Sequence, residues 1–298
     1  MRRSLLFFSL GLLLSLGAAC TPSAGPTTGS LAEYCAVATR SGLAGWSGDV
    51  VTVCDGAPSA GDHEPPSACA IFRVAGAELT PVALPDGVEA RLALPAAGGK
   101  LIVLTTDERL LYGLSSGPLA ELSAWAAEPS VSSDGARVAY VALAEGFTEP
   151  ELGVPTQIVV HELAADRREV VTTDELASSP VPVPGSSEVL FVSTQTGVAS
   201  VWRASPGGAP AQLTNVGMTQ LEQGFVPVPA RQLAWIGGSE LVFTAEYEDD
   251  RIWRLELSGV AEELGPGAWP RARADGAVLA RSGSGEECAV TYLDGRTP

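Results

Sequence analysis

The pentapeptide Gly113-Leu114-Ser115-Ser116-Gly117 has the G-x-S-x-G spacing that presents a serine nucleophile in many hydrolases. That chemistry also needs a strained strand-to-helix elbow, an oxyanion hole and a positioned histidine. The flanking pattern instead puts the pentapeptide at a tight turn between two strands, with no helix of useful length after it. His63 and His161 are the only side chains able to act as bases near neutral pH without a shifted pKa. His161 lies in a strand-like run, and His63 stands between Asp62 and Glu64. A histidine between two carboxylates is a fragment of a metal site, but no further histidines or spare thiols complete it. Glycine-rich phosphate loops are missing too, since those must open a helix. No catalytic residues are assigned, and no cofactor is called for; Ca²⁺ is the one ion the many carboxylates bring into consideration.

The amino terminus carries a clearer message. Arg2 and Arg3 precede an apolar run from Leu5 to Leu16, and small residues lead to Cys20. This is the pattern of a secretory signal peptide (residues 1–19), too short for an ordinary membrane span. Leu16-Gly17-Ala18-Ala19-Cys20 resembles a bacterial lipobox, with Leu one place further from the cysteine than usual, which implies lipidation of Cys20; ordinary signal cleavage after Ala19, which Gly-Ala-Ala also suits, is the alternative. Residues 20–30 are polar and small, as suits a flexible tether. If Cys20 is consumed by lipid, Cys35, Cys54, Cys69 and Cys288 remain as an even set for two disulfides in an oxidising compartment. Thr21 stands where an aspartate would signal inner-membrane retention. The expected address is therefore the periplasmic side of the outer membrane, or the cell surface.

The elements that would position any site repeat. Hydrophobic residues make up 46% of the chain and charged ones 18%, which excludes general disorder. With 33 glycines and 22 prolines, the composition favours a turn-rich all-β protein. The stretch EPSVSSDGARVAYV (residues 128–141) has a proline, an Asp-Gly turn and an apolar strand. Moving 51 residues on brings Pro180 and Val189-Leu190-Phe191-Val192 into the same places, and a further 52 brings Leu241-Val242-Phe243-Thr244. Pro270 with Asp275-Gly276 repeats the pattern again, and Gly98-Gly99 and Ser47-Gly48 open two earlier copies. Apolar pairs eleven residues apart bracket a second turn in each unit: Ile71/Val82, Leu111/Leu122, Val159/Val170, Trp202/Leu213 and Trp253/Leu264. A four-stranded unit of this length is the period of a propeller blade. The expectation is an all-β, six-bladed β-propeller over residues 31–298, with blades near 43–84, 90–124, 125–173, 176–215, 230–265 and 268–298.

The last copy runs out before its fourth strand, and Leu31–Ala38 is an unassigned strand-like run that can complete it. That closure sets Cys35 beside Cys288, while Cys54 and Cys69 clip the loop between the second and third strands of the first blade. EPSVSSDGARVAYV, together with VASVWRASPGGAPAQLTN (residues 198–215), resembles the WD40-like propeller repeat of TolB-type periplasmic proteins. The resemblance covers the propeller only and implies that fold, not a particular partnership.

A net charge of −17 with Lys100 as the only lysine excludes nucleic acid as a partner. Sorting loops by blade puts most acids on the end that carries the second-to-third and fourth-to-first connections. Asp62, His63, Glu64, Asp107, Glu108, Glu145, Glu149, Glu246, Glu248, Asp249, Asp250, Glu286 and Glu287 form the candidate acidic binding face, with Glu128 and Asp174 placed there too. Lys100, Arg137, Arg167, Arg168 and Arg296 fall on the tight-turn end. The reading is an exported, lipid-anchored, monomeric and non-enzymatic scaffold that binds another envelope protein or a basic ligand and touches the membrane only through its anchor. Its rivals are a propeller hydrolase or lyase with a cation at the central pore, and a structural envelope protein without a ligand.

Overall fold

The structure, a computed structural model, describes residues 43–47, 50–54, 69–75, 78–150, 154–197, 199–214, 218–221, 224–227, 230–246, 250–258, 261–272, 278–282 and 289–292. The segments expected as signal peptide (1–19), tether (20–30) and closing strand (31–38) lie outside these residues, as do Cys20, Cys35, Asp62, His63, Glu64, Glu248, Asp249, Glu286, Glu287 and Cys288.

Apart from one 3-10 turn at Ala97–Gly99, every regular element of the described residues is an antiparallel strand. The first sheet holds β1 (Leu43–Ser47), β2 (Val50–Cys54), β3 (Cys69–Ala75) and β4 (Glu78–Pro81) in sequence order. The second holds β5 (Ala90–Pro95), β6 (Leu101–Thr105), β7 (Leu110–Gly113) and β8 (Leu119–Ser123). The third holds β9 (Ala127–Val131), β10 (Arg137–Leu143), β11 (Thr156–Glu162) and β12 (Arg167–Thr172). The fourth comprises β13 (Ala177–Pro182), β14 (Val189–Ser193), β15 (Ser200–Ala204) and β16 (Ala211–Thr214). A separate hairpin, β17 (Met218–Leu221) and β18 (Gly224–Pro227), interrupts the repeat. The fifth sheet is β19 (Ala230–Gly237), β20 (Glu240–Glu246), β21 (Asp250–Glu256) and β22 (Ala261–Pro266). The sixth has three described strands: β23 (Ala268–Ala272), β24 (Val278–Ser282) and β25 (Ala289–Tyr292).

The core is divided between successive sheets rather than gathered at one centre. Val50 and Ile71 pack with Ala93, Leu101 and Val103 between the first and second sheets. Ile102, Leu104, Tyr140 and Val159 fill the space between the second and third. Val141, Ile158, Phe191 and Trp202 join the third and fourth; Leu190, Trp235, Leu241 and Phe243 join the fourth and fifth. Val242 and Ile252 meet Val278 and Ala280 between the fifth and sixth. β1 of the first sheet also touches β23 of the sixth. Strands such as β6 and β14 are buried on both faces, hence their unbroken apolar runs LIVLT and VLFVS.

The repeated proline has a structural reason. In the third sheet two residues, Glu128 and Pro129, oppose one, Tyr140. Ser179 and Pro180 oppose Phe191 in the same way, Gln232 and Leu233 oppose Phe243, and Trp269 and Pro270 oppose Ala280. Each of these four innermost strands thus carries a bulge, where the ladder needs no amide and proline costs nothing. Glu128 and Ser179 both take the left-handed backbone there, at φ 50° and 49°. Outer strands are bulged too. Leu122, Val171, Leu213 and Leu264 are the extra residues opposite β7, β11, β15 and β21. The eleven-residue spacing falls on the extra residue in three sheets, but in the third Val159 pairs Val170 directly and Val171 is the buried extra one.

Candidate binding face

The second-to-third and fourth-to-first connections leave the sheets at one end. At that end stand Asp107 and Glu108 after β6, Glu145 and Glu149 after β10, and Glu246 and Asp250, which face each other in register across the β20–β21 connection. Two candidate assignments need correction. Glu128 lies in the β9 bulge of an innermost strand, not in a loop, and its carboxylate accepts the backbone amide of Ser179 in the next sheet. Bulging rather than loop length therefore sets its direction. Arg168, assigned to the tight-turn end, is long enough to run along the sheet and line a cleft with residues of the β10–β11 connection.

The loop after β6 is built by its own side chains. The Thr105 hydroxyl donates to Asp107 and accepts the Arg109 amide at 2.9 Å, while Arg109 Nε donates to Asp107 Oδ2 at 2.8 Å. These partners, the threonine hydroxyl foremost, hold the Asp107 carboxyl below its ordinary value against slight desolvation. The next residue, Glu108, takes φ 63°. Its side chain accepts Trp125 Nε1 at 2.5 Å and stands 3.6 Å from Arg91, while its carbonyl accepts the Ala126 amide at 2.8 Å. Glu108 thereby fastens the β6–β7 loop to the connection between the second and third sheets. In the following connection, Asp174 accepts the Ser193 hydroxyl and the Leu176 amide.

Trp125 is one wall of a cleft of about 250 Å³ between these two sheets. Leu122, Leu143, Glu145, Phe147 and Arg168 form the rest of its surface. Phe147 is 47% exposed. Beneath lies Tyr140, fully buried, with no hydrogen-bond partner for its hydroxyl among the described residues. Burial raises its pKa, and the Arg168 guanidinium pulls it partly back. Sequence reading missed this cleft; a phenylalanine in the otherwise polar run AEGFTEPE was the available signal.

The remaining candidates are structural. Gly113–Gly117 is a turn from β7 into β8, closed by the Gly117 amide on the Leu114 carbonyl at 3.1 Å, so no elbow forms. His161, 4% exposed, donates Nε2–H to Asp166 at 2.9 Å. Among the described residues no three His, Cys, Asp or Glu side chains converge as a metal ion would require. No described helix is long and apolar enough to cross a membrane. At the opposite end, Asp134 and Gly135 join three sheets. Asp134 accepts the Gly185 amide of the fourth sheet's turn at 3.3 Å, and the Gly135 carbonyl accepts the Ala97 amide of the second at 3.0 Å. Burial opposes ionisation of Asp134, but the Ser132 hydroxyl and the amides of Ala136 and Gly185 keep its pKa lowered.

No protein-family profile matches the chain, and no curated protein matches it in sequence. Solved structures do match. TolB of Acinetobacter baumannii superposes with a TM-score of 0.57 at 16% identity, over 76% of this chain and 57% of that one. This chain thus spans little more than half of that TolB. The protein described as TolB of Agrobacterium tumefaciens gives 0.54 at 14% identity, covering 84% of this chain and 89% of its own. An oligogalacturonate lyase in complex with manganese gives 0.53 at 13%, covering 84% and 72%. TolB proteins and a lyase share this architecture, so the likeness speaks to fold alone. The chain has the TolB-type β-propeller fold.

Proposed function

We propose that this chain is an exported, lipid-anchored, six-bladed propeller that binds a basic segment of another envelope protein on its acidic loop face, without catalysing a reaction. One observation carries the reading. Acids from three different sheets, Asp107 and Glu108, Glu145 and Glu149, and Glu246 and Asp250, share one end of the molecule. Converging loops of one charge sign focus the field and steer a cationic partner. Lipidation at Cys20 would hold that face near a membrane surface.

Ring closure belongs to the same proposal. The contact of β1 with β23 supports it, as do the three strands of the sixth sheet among the described residues, beside which the segment 31–38 would add a fourth. Cys54 and Cys69 are register partners on β2 and β3. Directly opposed residues of an antiparallel pair have Cα atoms about 4.5 or 5.5 Å apart, both within disulfide reach. That supports the Cys54–Cys69 bridge and leaves Cys35–Cys288 for closure; peptide mapping of the non-reduced protein that found another pairing would overturn it.

The binding reading is tested by reversing charge at Glu145, Glu149, Glu246 and Asp250 to lysine and isolating partners from envelope extracts. The expected result is loss of a basic partner captured by the unaltered protein. An unchanged set of partners would contradict the reading.

A further inference from the structure

The geometry points to a second, smaller site: the cleft between the second and third sheets binds a carboxylate attached to an aromatic or branched apolar group, with Arg168 as the anion anchor. This goes beyond the acidic face, since it names a ligand of opposite charge.

Arg168 is set apart by what it does not do. Arg91, Arg109, Arg137, Arg167, Arg203, Arg251 and Arg254 each form an ion pair with a described carboxylate. Among the described residues Arg168 has none, in a chain with 35 acids to 18 bases. Arg168 lines the cleft close to the Tyr140 hydroxyl and pairs with no described carboxylate, so its planar guanidinium keeps N–H groups that can meet a carboxylate. Its neighbour inside is the Tyr140 hydroxyl, a buried donor left unpartnered among the described residues. A guanidinium can only donate to that hydroxyl, so the buried Tyr140 O–H still lacks an acceptor, and beside a cation without a described carboxylate this marks a place for one.

The other walls define the ligand's second half. Trp125 is held by its Nε1–H on Glu108, which leaves its rings as a fixed apolar surface. Phe147, also in the lining, keeps 47% of its surface exposed, and Leu122 and Leu143 complete the apolar wall. About 250 Å³ falls just below the usual range for whole small-molecule ligands, and accommodates one amino-acid-sized group. Glu145 at the rim disfavours a second negative charge. The ligand is therefore a monoanion with one apolar group. A free aromatic acid and the carboxyl-terminal residue of a polypeptide share this chemistry.

Calorimetric titration of the full-length protein tests it, with N-acetylphenylalanine and its amide as probes. The acid should bind saturably and the amide about tenfold or more weaker, since only the carboxylate engages the fork. Arg168→Gln should weaken the acid by a similar factor while leaving the circular dichroism spectrum unchanged, and Arg168→Lys should fall between. Phe147→Ala should weaken acid and amide alike. A tripeptide ending in phenylalanine then separates the sources: tighter binding than N-acetylphenylalanine identifies a polypeptide terminus, and weaker binding a free small acid. Equal affinity for acid and amide, or acid binding that survives Arg168→Gln, would overturn the proposal. So would the absence of saturable binding at millimolar acid.

Discussion

Gly135 and Gly185 offer a comparison internal to the molecule. Both lie in turns at the same end and have left-handed backbones, φ +69° and +70°. Replacing either with alanine costs about 1–2 kcal/mol, because Cβ crowds the backbone in that region. At Gly185 nothing lies within 4 Å of the new Cβ, so no further cost arises. At Gly135 the Cβ would stand 2.5 Å from Ala97 N, 3.0 Å from the Ala96 carbonyl carbon and 3.1 Å from Ala97 Cα. All three are backbone atoms of the second sheet's turn and cannot rotate away. Displacing them adds about 1–3 kcal/mol of overpacking. The 3.0 Å hydrogen bond from the Ala97 amide to the Gly135 carbonyl would also be lost, roughly 1 kcal/mol more. Gly185→Ala should therefore cost about 1–2 kcal/mol and Gly135→Ala about 3–6. Urea unfolding of the two variants, fitted with a shared slope, reads the difference. Equal losses would refute the close approach of the second and third sheets at this end, and with it the packing argument for the ring.

Three further outcomes follow from the same geometry. Tyr140→Phe removes a buried hydroxyl without a described partner and should leave stability unchanged or raise it by about 1 kcal/mol; a clear loss in urea unfolding would mean that the hydroxyl is satisfied. Asp107 has a folded pKa below its ordinary value of 3.8, so the stability it contributes is present above that pH and is lost as pH falls through the folded value. Thr105→Val removes the largest cause and should move the Asp107 carboxyl upward in a carbon-detected NMR titration; an unmoved value would refute the assignment. Glu128→Ala deletes the acceptor for the Ser179 amide and should cost about 1 kcal/mol, with faster hydrogen exchange at Ser179 as the local reading.

Much of the fold was legible because the sequence repeats its own reasons. Runs such as Val138–Leu143 and Val189–Ser193 announce strands buried on both faces, and Asp134-Gly135 announces the turn it makes. Proline marked each repeat, although its cause, a bulge on the innermost strand, needs the register to be seen. Spacing alone could not place the outer-strand bulge, so Val170 was paired correctly while Val171 carries the burial. The β17–β18 hairpin breaks the period and left no repeat signal. Site residues were harder. Loop acids could be sorted by end from topology, but Glu128 and Arg168 could not: one is redirected by a bulge, and the other by the length of its side chain. The cleft is made by two sheets brought together in space, which no local pattern encodes.

The central claim, that this propeller meets its partner through the acidic loop end, is tested most directly by site-specific photo-crosslinking in intact cells. A benzophenone side chain would be placed at Glu149, exposed on the loop end, and in a second strain at Ser116, exposed on the tight-turn end. The account predicts a discrete adduct with a basic envelope protein from position 149, sensitive to added salt, and none from 116. An adduct from 116 alone, or the same products from both positions, would contradict it.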